Sequence, residues 1–175
     1  MKLIKPTIVL KQEYLEMLDE WKQSNEKIVP WVLNEDTFDF QAMISRFEDY
    51  SQVIGLKEGL VPHSTYWFVR DDDKILGAVN IRHWLNDYLK NIGGHIGYGI
   101  RPSERRKGYA TEMLRKALGI ISEMGIKSVL VTCDKDNIAS AKTIIKNGGV
   151  LHSEDLDNGV VFQRYWINFS GGGCL

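Results

Sequence analysis

At 175 residues, 43% of them hydrophobic, the chain is sized for one domain with enough apolar side chains for a real core. A formal charge of −1 excludes a general nucleic-acid binder held by counterion release. Two cysteines, Cys133 and Cys174, are too few and too oddly placed for a disulfide framework, so a reducing cytoplasm is the simpler setting.

The segment KLIKPTIVL reads as a short strand interrupted by Pro6. In KQEYLEMLDEWKQS, Tyr14, Leu15, Leu18 and Trp21 fall on one helical stripe. A second helix is expected from Asp36 to about Tyr50, carrying Phe40, Ile44 and Phe47, with Asp36 or Thr37 as its cap. STYWFVR and ILGAVNIR are β-rich runs on either side of DDDK, a hairpin whose acidic residues suit a solvated turn better than a metal site. HWLNDYLKN reads as a polar loop, followed by GGHIGYGI, a strand whose glycines suggest a bulge or a close backbone approach.

The clearest helix runs from Gly108 to Met124, with Ala110, Met113, Leu114, Ala117, Leu118, Ile121 and Met124 on one face and Gly125 as a stop. SVLVTC is an unbroken apolar run typical of a covered strand. Asp136 or Asn137 can cap the next helix, which halts at Gly148-Gly149, and a hairpin turning at Asn158-Gly159 closes the fold. No apolar run reaches membrane-spanning length, and no stretch has the layout of a secretory leader or a prenylation signal. The expected organisation is one domain over residues 1–170 with a flexible tail at 171–175.

The densest basic cluster, Arg105-Arg106-Lys107, runs directly into Gly108, Tyr109 and Ala110 at the start of that clearest helix. A helix N-terminus offers free amides and about half a unit of positive charge. Glycine lets an anion approach the backbone, so the arrangement describes an anion cradle, with a plain solvated loop as the alternative. Neither a Walker loop nor a dinucleotide fingerprint is present.

RRKGYA fits the pattern [Q/R]-x-x-G-x-[G/A], and the wider IGYGIRPSERRKGYATEML resembles the GNAT superfamily of N-acyltransferases, nearest in motif to its ribosomal-protein-alanine N-acetyltransferase branch. Downstream, NIASAKTIIKNGG resembles a second segment of that family, and the order of elements fits along essentially the whole chain. The resemblance implies an α/β (α+β) fold: a mixed, mostly antiparallel sheet of six to seven strands, about four helices, and a splayed parallel pair, the glycine strand and SVLVTC, opening a cofactor cleft. It implies an acetyl-CoA-dependent enzyme acting on a primary amine of a small molecule or a peptide N-terminus, by direct attack in a ternary complex. No metal, nucleic-acid or membrane partner is expected, and a homodimer is compatible with it. The backbone of Arg105, Arg106, Lys107, Gly108, Tyr109, Ala110 and Thr111 would hold the diphosphate of coenzyme A. The Gly97–Ile100 strand would pair with the pantetheine arm, with Ile100 a candidate oxyanion donor. Asn137 would bond the pantetheine, or cap its helix, and Ser140 would support it.

In many relatives a tyrosine on the helix after the Asn protonates the departing thiolate; here that position is Ile144, and Gly149 replaces a usual aromatic. The missing acid motivates the alternative of a non-catalytic acyl-CoA-binding or sensing module. Tyr98 and Cys133 flank the expected cleft and are candidates for the acid, with packing as their other reading. His95, where the related branch often has glutamate, is the candidate base, or else a half-exposed strand histidine. Arg82 and His83, after the second hairpin strand, are candidate substrate contacts. Glu35, with Asp36 and Asp39 among Phe38 and Phe40, would draw in a protonated amine if that connection borders the acceptor.

Overall fold

Residues 1–169 are described by the computed structural model. Strand β1 (Lys2–Ile4) ends before Pro6, which cannot donate to a ladder, and a 3-10 turn at Ile8–Leu10 leads into helix α1 (Lys11–Gln23). The stripe of α1 buries Tyr14, Met17, Leu18 and Trp21. A long irregular connection, with one 3-10 turn at Trp31–Asn34, reaches helix α2 (Phe40–Ser51), which buries Phe40, Met43, Phe47 and Tyr50. This helix starts later than the sequence suggests. Asp39 is its cap, accepting from the Ala42 N–H, while Asp36 closes a local turn onto the Phe38 N–H.

Strands β2 (His63–Val69) and β3 (Ile75–Arg82) form the expected hairpin. Its acidic turn works as a turn: Asp73 has φ 64° and Asp72 clamps the Arg70 guanidinium at 2.8 and 2.9 Å. The polar stretch after β3, read as a loop, contains a short helix α3 (Asp87–Asn91) capped by Asn86. Strand β4 (Ile96–Ile100), helix α4 (Tyr109–Glu123), strand β5 (Ser128–Asp134) and helix α5 (Ile138–Lys146) follow, then the hairpin β6 (Val150–Asp157) and β7 (Val160–Asn168). Asn158 and Gly159 both take positive φ at the hairpin turn, as a two-residue loop between right-twisted strands requires.

The first sheet has the order β1-β2-β3-β4 and the second β5-β7-β6, with every ladder antiparallel. The six to seven strands expected in one mixed sheet are thus seven, divided between two sheets at β4 and β5. One core, around Trp67 and Ala78, lies between the first sheet and α1–α2; Tyr14 stacks on Trp67 with centroids 4.7 Å apart. The other lies under α4, whose Met113, Leu114, Ala117, Leu118 and Ile121 pack against Phe68, Val79, Ile96 and Val131. Fully burying each such side chain contributes about 1.5–3 kcal/mol, so these faces fix which side of β4 meets which helix.

Gly99 of β4 is required by packing. A side chain on Gly99 would collide with the Val29 carbonyl and crowd Trp21, because the irregular connection after α1 packs directly on this strand. Ile144 is fully buried, and a side chain on Gly149 would run into it, so the two departures from the family pattern are one packing arrangement. Cys174 and the tail 171–175 lie outside the described residues.

Candidate cofactor cleft and acceptor face

The cleft starts where the two sheets part. The His95 N–H donates to the Leu130 carbonyl at 2.7 Å, and beyond that bond β4 and β5 form no ladder. Antiparallel pairing alternates hydrogen-bonded and non-bonded pairs. The Arg82 N–H bonds the His95 carbonyl and the Arg101 N–H bonds the Leu76 carbonyl, which makes Asn80:Gly97 and Ala78:Gly99 the bonded pairs. The main-chain groups of Tyr98 and the N–H of Ile100 therefore point away from β3, along the open edge facing β5.

From the end of β4 the chain enters the cradle through a 3-10 turn at Pro102–Glu104. Arg101, a residue the sequence reading passed over, anchors this turn. The residue is 4% exposed, and its guanidinium meets Glu20 at 2.7 Å and Glu13 at 2.9 Å, both on α1; Glu20 also accepts from the Ser103 N–H at 3.3 Å. Arg106 (φ 62°) and Gly108 (φ 83°) then take left-handed conformations around Lys107. The amides of Arg106, Lys107, Gly108, Tyr109 and Ala110 donate to no acceptor among the described residues, and Gly108 caps α4 without any side-chain bond. A Cβ on Gly108 would meet nothing within 4 Å. Five free amides around a bare, open backbone at a helix N-terminus fit a diphosphate.

The ends of the expected cradle behave differently. The Arg105 N–H goes to the Pro102 carbonyl and the Thr111 N–H to the Gly108 carbonyl, so neither amide is free. The Arg105 side chain turns back, bonding the Ile100 carbonyl, pairing with Glu26 and lying 6.0 Å over the Trp21 ring. Lys107 is held by Glu104 at 2.8 Å, and Glu104 also takes Lys74 at 2.9 Å. Arg106 makes no ion pair among the described residues and stays exposed. The cradle's attraction for an anion rests mainly on its amides, with two of the three basic side chains already matched by carboxylates.

Asn137 caps α5 and accepts from the Ser140 N–H at 3.0 Å, leaving its amide nitrogen in solvent. The Ser140 hydroxyl lies 3.0 Å from the Tyr98 hydroxyl, a bond that crosses from β4 to α5. Burial pushes the Tyr98 phenol up to about 12, against the pull of the Ser140 bond, so it stays protonated at neutral pH. Burial likewise raises the Cys133 thiol to about 11.

His95 is not placed as a base. Its Nδ1 accepts from the Leu130 N–H at 2.9 Å, which leaves the ring proton on Nε2 and no free lone pair. Burial, and then the Arg82 charge, hold its pKa down at about 4. The ring continues the β4–β5 contact as a side-chain rung, buried rather than half-exposed.

The candidate acceptor residues each have partners of their own. Glu35 is engaged by Arg46 at 3.1 Å and by the Tyr50 hydroxyl at 3.2 Å, so its charge is spent on α2 instead of an incoming amine. His83 bonds Ser64, on the face of β2 opposite His63. Arg82 lies on the α1–α2 face of the sheet, buried, with Nη1 on the Gly93 carbonyl at 3.0 Å and the Gly94 carbonyl at 3.4 Å. Beside it stand His63 and Asn80, which the sequence reading left out. A polar side chain at an inward position of an apolar strand run was the available signal.

An acetyltransferase (GNAT) domain model matches residues 9–150, and the chain belongs to that family of acetyl-CoA-dependent acetyltransferases. The uncharacterised N-acetyltransferase YjdG of Bacillus subtilis strain 168 is 28% identical over 104 residues, 58% of this chain and 57% of its own length. YoaA, an uncharacterised N-acetyltransferase of the same strain, is 25% identical over 147 residues, covering 80% of this chain and 78% of its own. Among solved structures, the microcin C7 self-immunity acetyltransferase MccE, in complex with acetyl-CoA and AMP, has the same fold, with a TM-score of 0.66 and 20% identity over 95% of this chain and 91% of that one. No helix among the described residues is long and apolar enough to cross a membrane.

Proposed function

We propose that this chain is an N-acetyltransferase that moves the acetyl group of acetyl-CoA to a primary amine of a small molecule or peptide N-terminus, by direct attack in a ternary complex. The observation that carries the reading is the row of five free amides from Arg106 to Ala110 beside the open edge of β4. In this reading the cradle holds the diphosphate of coenzyme A, with Arg105 and Thr111 shaping its two ends. The Tyr98 and Ile100 edge groups bond the pantetheine amides and the thioester oxygen. Asn137 and Ser140 lie along the opposite wall. Bound acetyl-CoA supplies an acyl thioester and its thiolate leaving group. The Tyr98 phenol, kept protonated by burial and held by Ser140, gives the thiolate its proton.

Ile144 in place of a helix tyrosine supports the second reading, a non-catalytic acyl-CoA-binding or sensing module. Calorimetric binding of coenzyme A run beside thiol release with a panel of amines separates the two. Turnover on at least one amine is the expected result. Saturable binding with no turnover on any amine favours the sensing module, and absent binding overturns both.

A further inference from the structure

Beneath the connection between α1 and α2, the first sheet carries a polar cluster inside an otherwise apolar layer. The register sets His63 of β2 opposite Arg82 of β3, and Asn80 of β3 opposite Gly97 of β4, all on the face covered by α1 and α2. His63 is 2% exposed and Asn80 fully buried. Asn80 Nδ2 lies 2.9 Å from His63 Nδ1 and 3.2 Å from the Thr65 hydroxyl. His63 Nε2 and Asn80 Oδ1 nonetheless have no partner among the described residues. With Nδ1 accepting from Asn80, the ring proton sits on Nε2, a buried donor with nothing to bond.

Arg82 sharpens the contrast. The other deeply buried arginine, Arg101, is met by Glu13 and Glu20, with Glu16 at 3.9 Å. Arg82 is 8% exposed and has no ion pair among the described residues; only Nη1 is engaged, by two carbonyls. A buried guanidinium without a carboxylate is costly, and its rigid fork is built for one. On the β4 side it is left bare by Gly97, where a Cβ would already stand 3.4 Å from both terminal nitrogens and from Pro30. The roof is the irregular connection itself: the Trp31 ring, 38% exposed, rests edge-on at 5.5 Å from the His63 ring. The cluster reaches Gly97, which precedes Tyr98 on the strand that forms the open edge of the cleft.

We propose that Arg82 and His63 form a subsite for a carboxylate of the acceptor, so that the amine acetylated belongs to a small amino-carboxylate, an α-amino acid or a close relative. This deepens the N-acetyltransferase reading and rests on it. The guanidinium takes the carboxylate through the N–H groups its carbonyl contacts leave free, and His63 Nε2–H donates a further bond. Asn80 holds the imidazole in that tautomer. The acceptor amine, a bond or two from the carboxylate, then faces the β4 edge. In the transfer its nitrogen bonds the acetyl carbon and loses one proton, while the C–S bond breaks and the sulfur leaves with the electron pair and gains a proton.

The test uses the full chain and matched acceptors: a panel of L-amino acids, each beside the amine that lacks its carboxylate. Thiol release should favour at least one amino acid over its matched amine by about a hundredfold in kcat/KM, the scale of a desolvated ion pair. In Arg82→Gln the KM for that amino acid should rise about thirtyfold, with Arg82→Lys recovering part of it and the KM for acetyl-CoA unchanged. Equal rates for every matched pair overturn the subsite while leaving the acetyltransferase reading intact, as does an unchanged KM in folded Arg82→Gln. Should no amine turn over, the N-acetylated forms of the same amino acids and N-ethylacetamide are titrated into the coenzyme A complex. Saturable binding of an N-acetylamino acid but not the amide upholds the subsite, and binding of neither overturns it.

Discussion

Leu130 meets His95 twice, giving its carbonyl to the His95 N–H at 2.7 Å and its own N–H to the imidazole Nδ1 at 2.9 Å. The second bond requires a neutral ring, and burial followed by the Arg82 charge hold this histidine near pKa 4. His63 is held at about 4 by the same two effects, with His83 adding to them. The ordinary value for both is 6.5, so between pH 6.5 and 4 the unfolded chain binds protons that the folded chain refuses. Stability is then fully present above pH 6.5 and falls as the pH drops toward 4. Urea unfolding of wild type should show this slope, and His95→Gln should reduce it to the His63 share while losing about 1–2 kcal/mol at pH 7. Its kcat at pH 8 should stay within a few-fold of wild type; loss of nearly all activity in a folded His95→Gln would restore the base assignment.

Gly108 combines φ 83° with empty space where a side chain would go. Gly108→Val should therefore fold, at a cost of about 1–2 kcal/mol for the left-handed conformation. Its branched side chain would occupy the space in front of the free amides. Calorimetry should show coenzyme A affinity down by about tenfold or more, a loss larger than the strain alone explains. Unchanged affinity in the folded variant would remove the cradle from the cofactor site.

Arg101 links the cradle to α1 through Glu13 and Glu20, whose side chains keep 30% and 29% exposure. Arg101→Met leaves those carboxylates partly hydrated, so the expected loss is about 2–3 kcal/mol, below the full penalty for breaking a buried pair. That corresponds to a fall in Tm of about 5–10 °C. Coenzyme A affinity should fall with it, because the Ser103 N–H is tethered through Glu20. A variant with lowered Tm and wild-type affinity would show that the turn holds its shape without this anchor.

Features carried by local patterns were legible in the sequence. The stripes of α1 and α4, the Asn158-Gly159 turn and the glycine at the start of α4 each follow from a spacing of a few residues. What escaped depends on pairs far apart in the chain. Nothing local says that Glu13 and Glu20 reach Arg101, or that Arg46 and Tyr50 occupy Glu35. The glycines around β4 suggest a bulge or a close approach, and Gly99 makes a close approach. The partner at Gly99 is the Val29 carbonyl, from a segment whose course no periodicity encodes. Asn80 breaks the apolar pattern of ILGAVNIR, and that break is the readable sign of the buried polar cluster.

Glu35 gives a test that separates steering from packing. Its carboxylate ties the connection before α2 to Arg46 and Tyr50 on that helix, with 19% of its side chain exposed. Glu35→Gln should cost about 1 kcal/mol in thermal or urea unfolding. Any change in the acceptor KM should be insensitive to salt, because the charge is already paired with Arg46; an exposed steering charge would be screened over about 10 Å at 0.1 M. A KM rise for a cationic acceptor that vanishes at high salt would return Glu35 to the acceptor path.

Tyr98 is the remaining test of the chemistry. Its phenol is pushed up to about 12, first by burial, and stands 3.0 Å from the Ser140 hydroxyl across the cleft between β4 and α5. It therefore carries a transferable proton at any working pH, and the neighbouring Cys133 thiol, raised to about 11, stays neutral beside it. If the phenol protonates the departing thiolate, Tyr98→Phe should lower kcat by about 100-fold or more, the usual contribution of one general acid. The Kd for coenzyme A should stay within about twofold, since the edge amides are main-chain groups. Stability should change by about 1 kcal/mol, the worth of one neutral hydrogen bond. A purely structural tyrosine gives the reverse pattern, with kcat retained and only the melting temperature lowered. Ser140→Ala distinguishes support from catalysis: it removes the same bond but leaves the phenol, and should keep most of the rate that Tyr98→Phe loses. Wild-type kcat in Tyr98→Phe across about pH 6 to 9 would remove the phenol as the acid and leave the thiolate to take its proton from water.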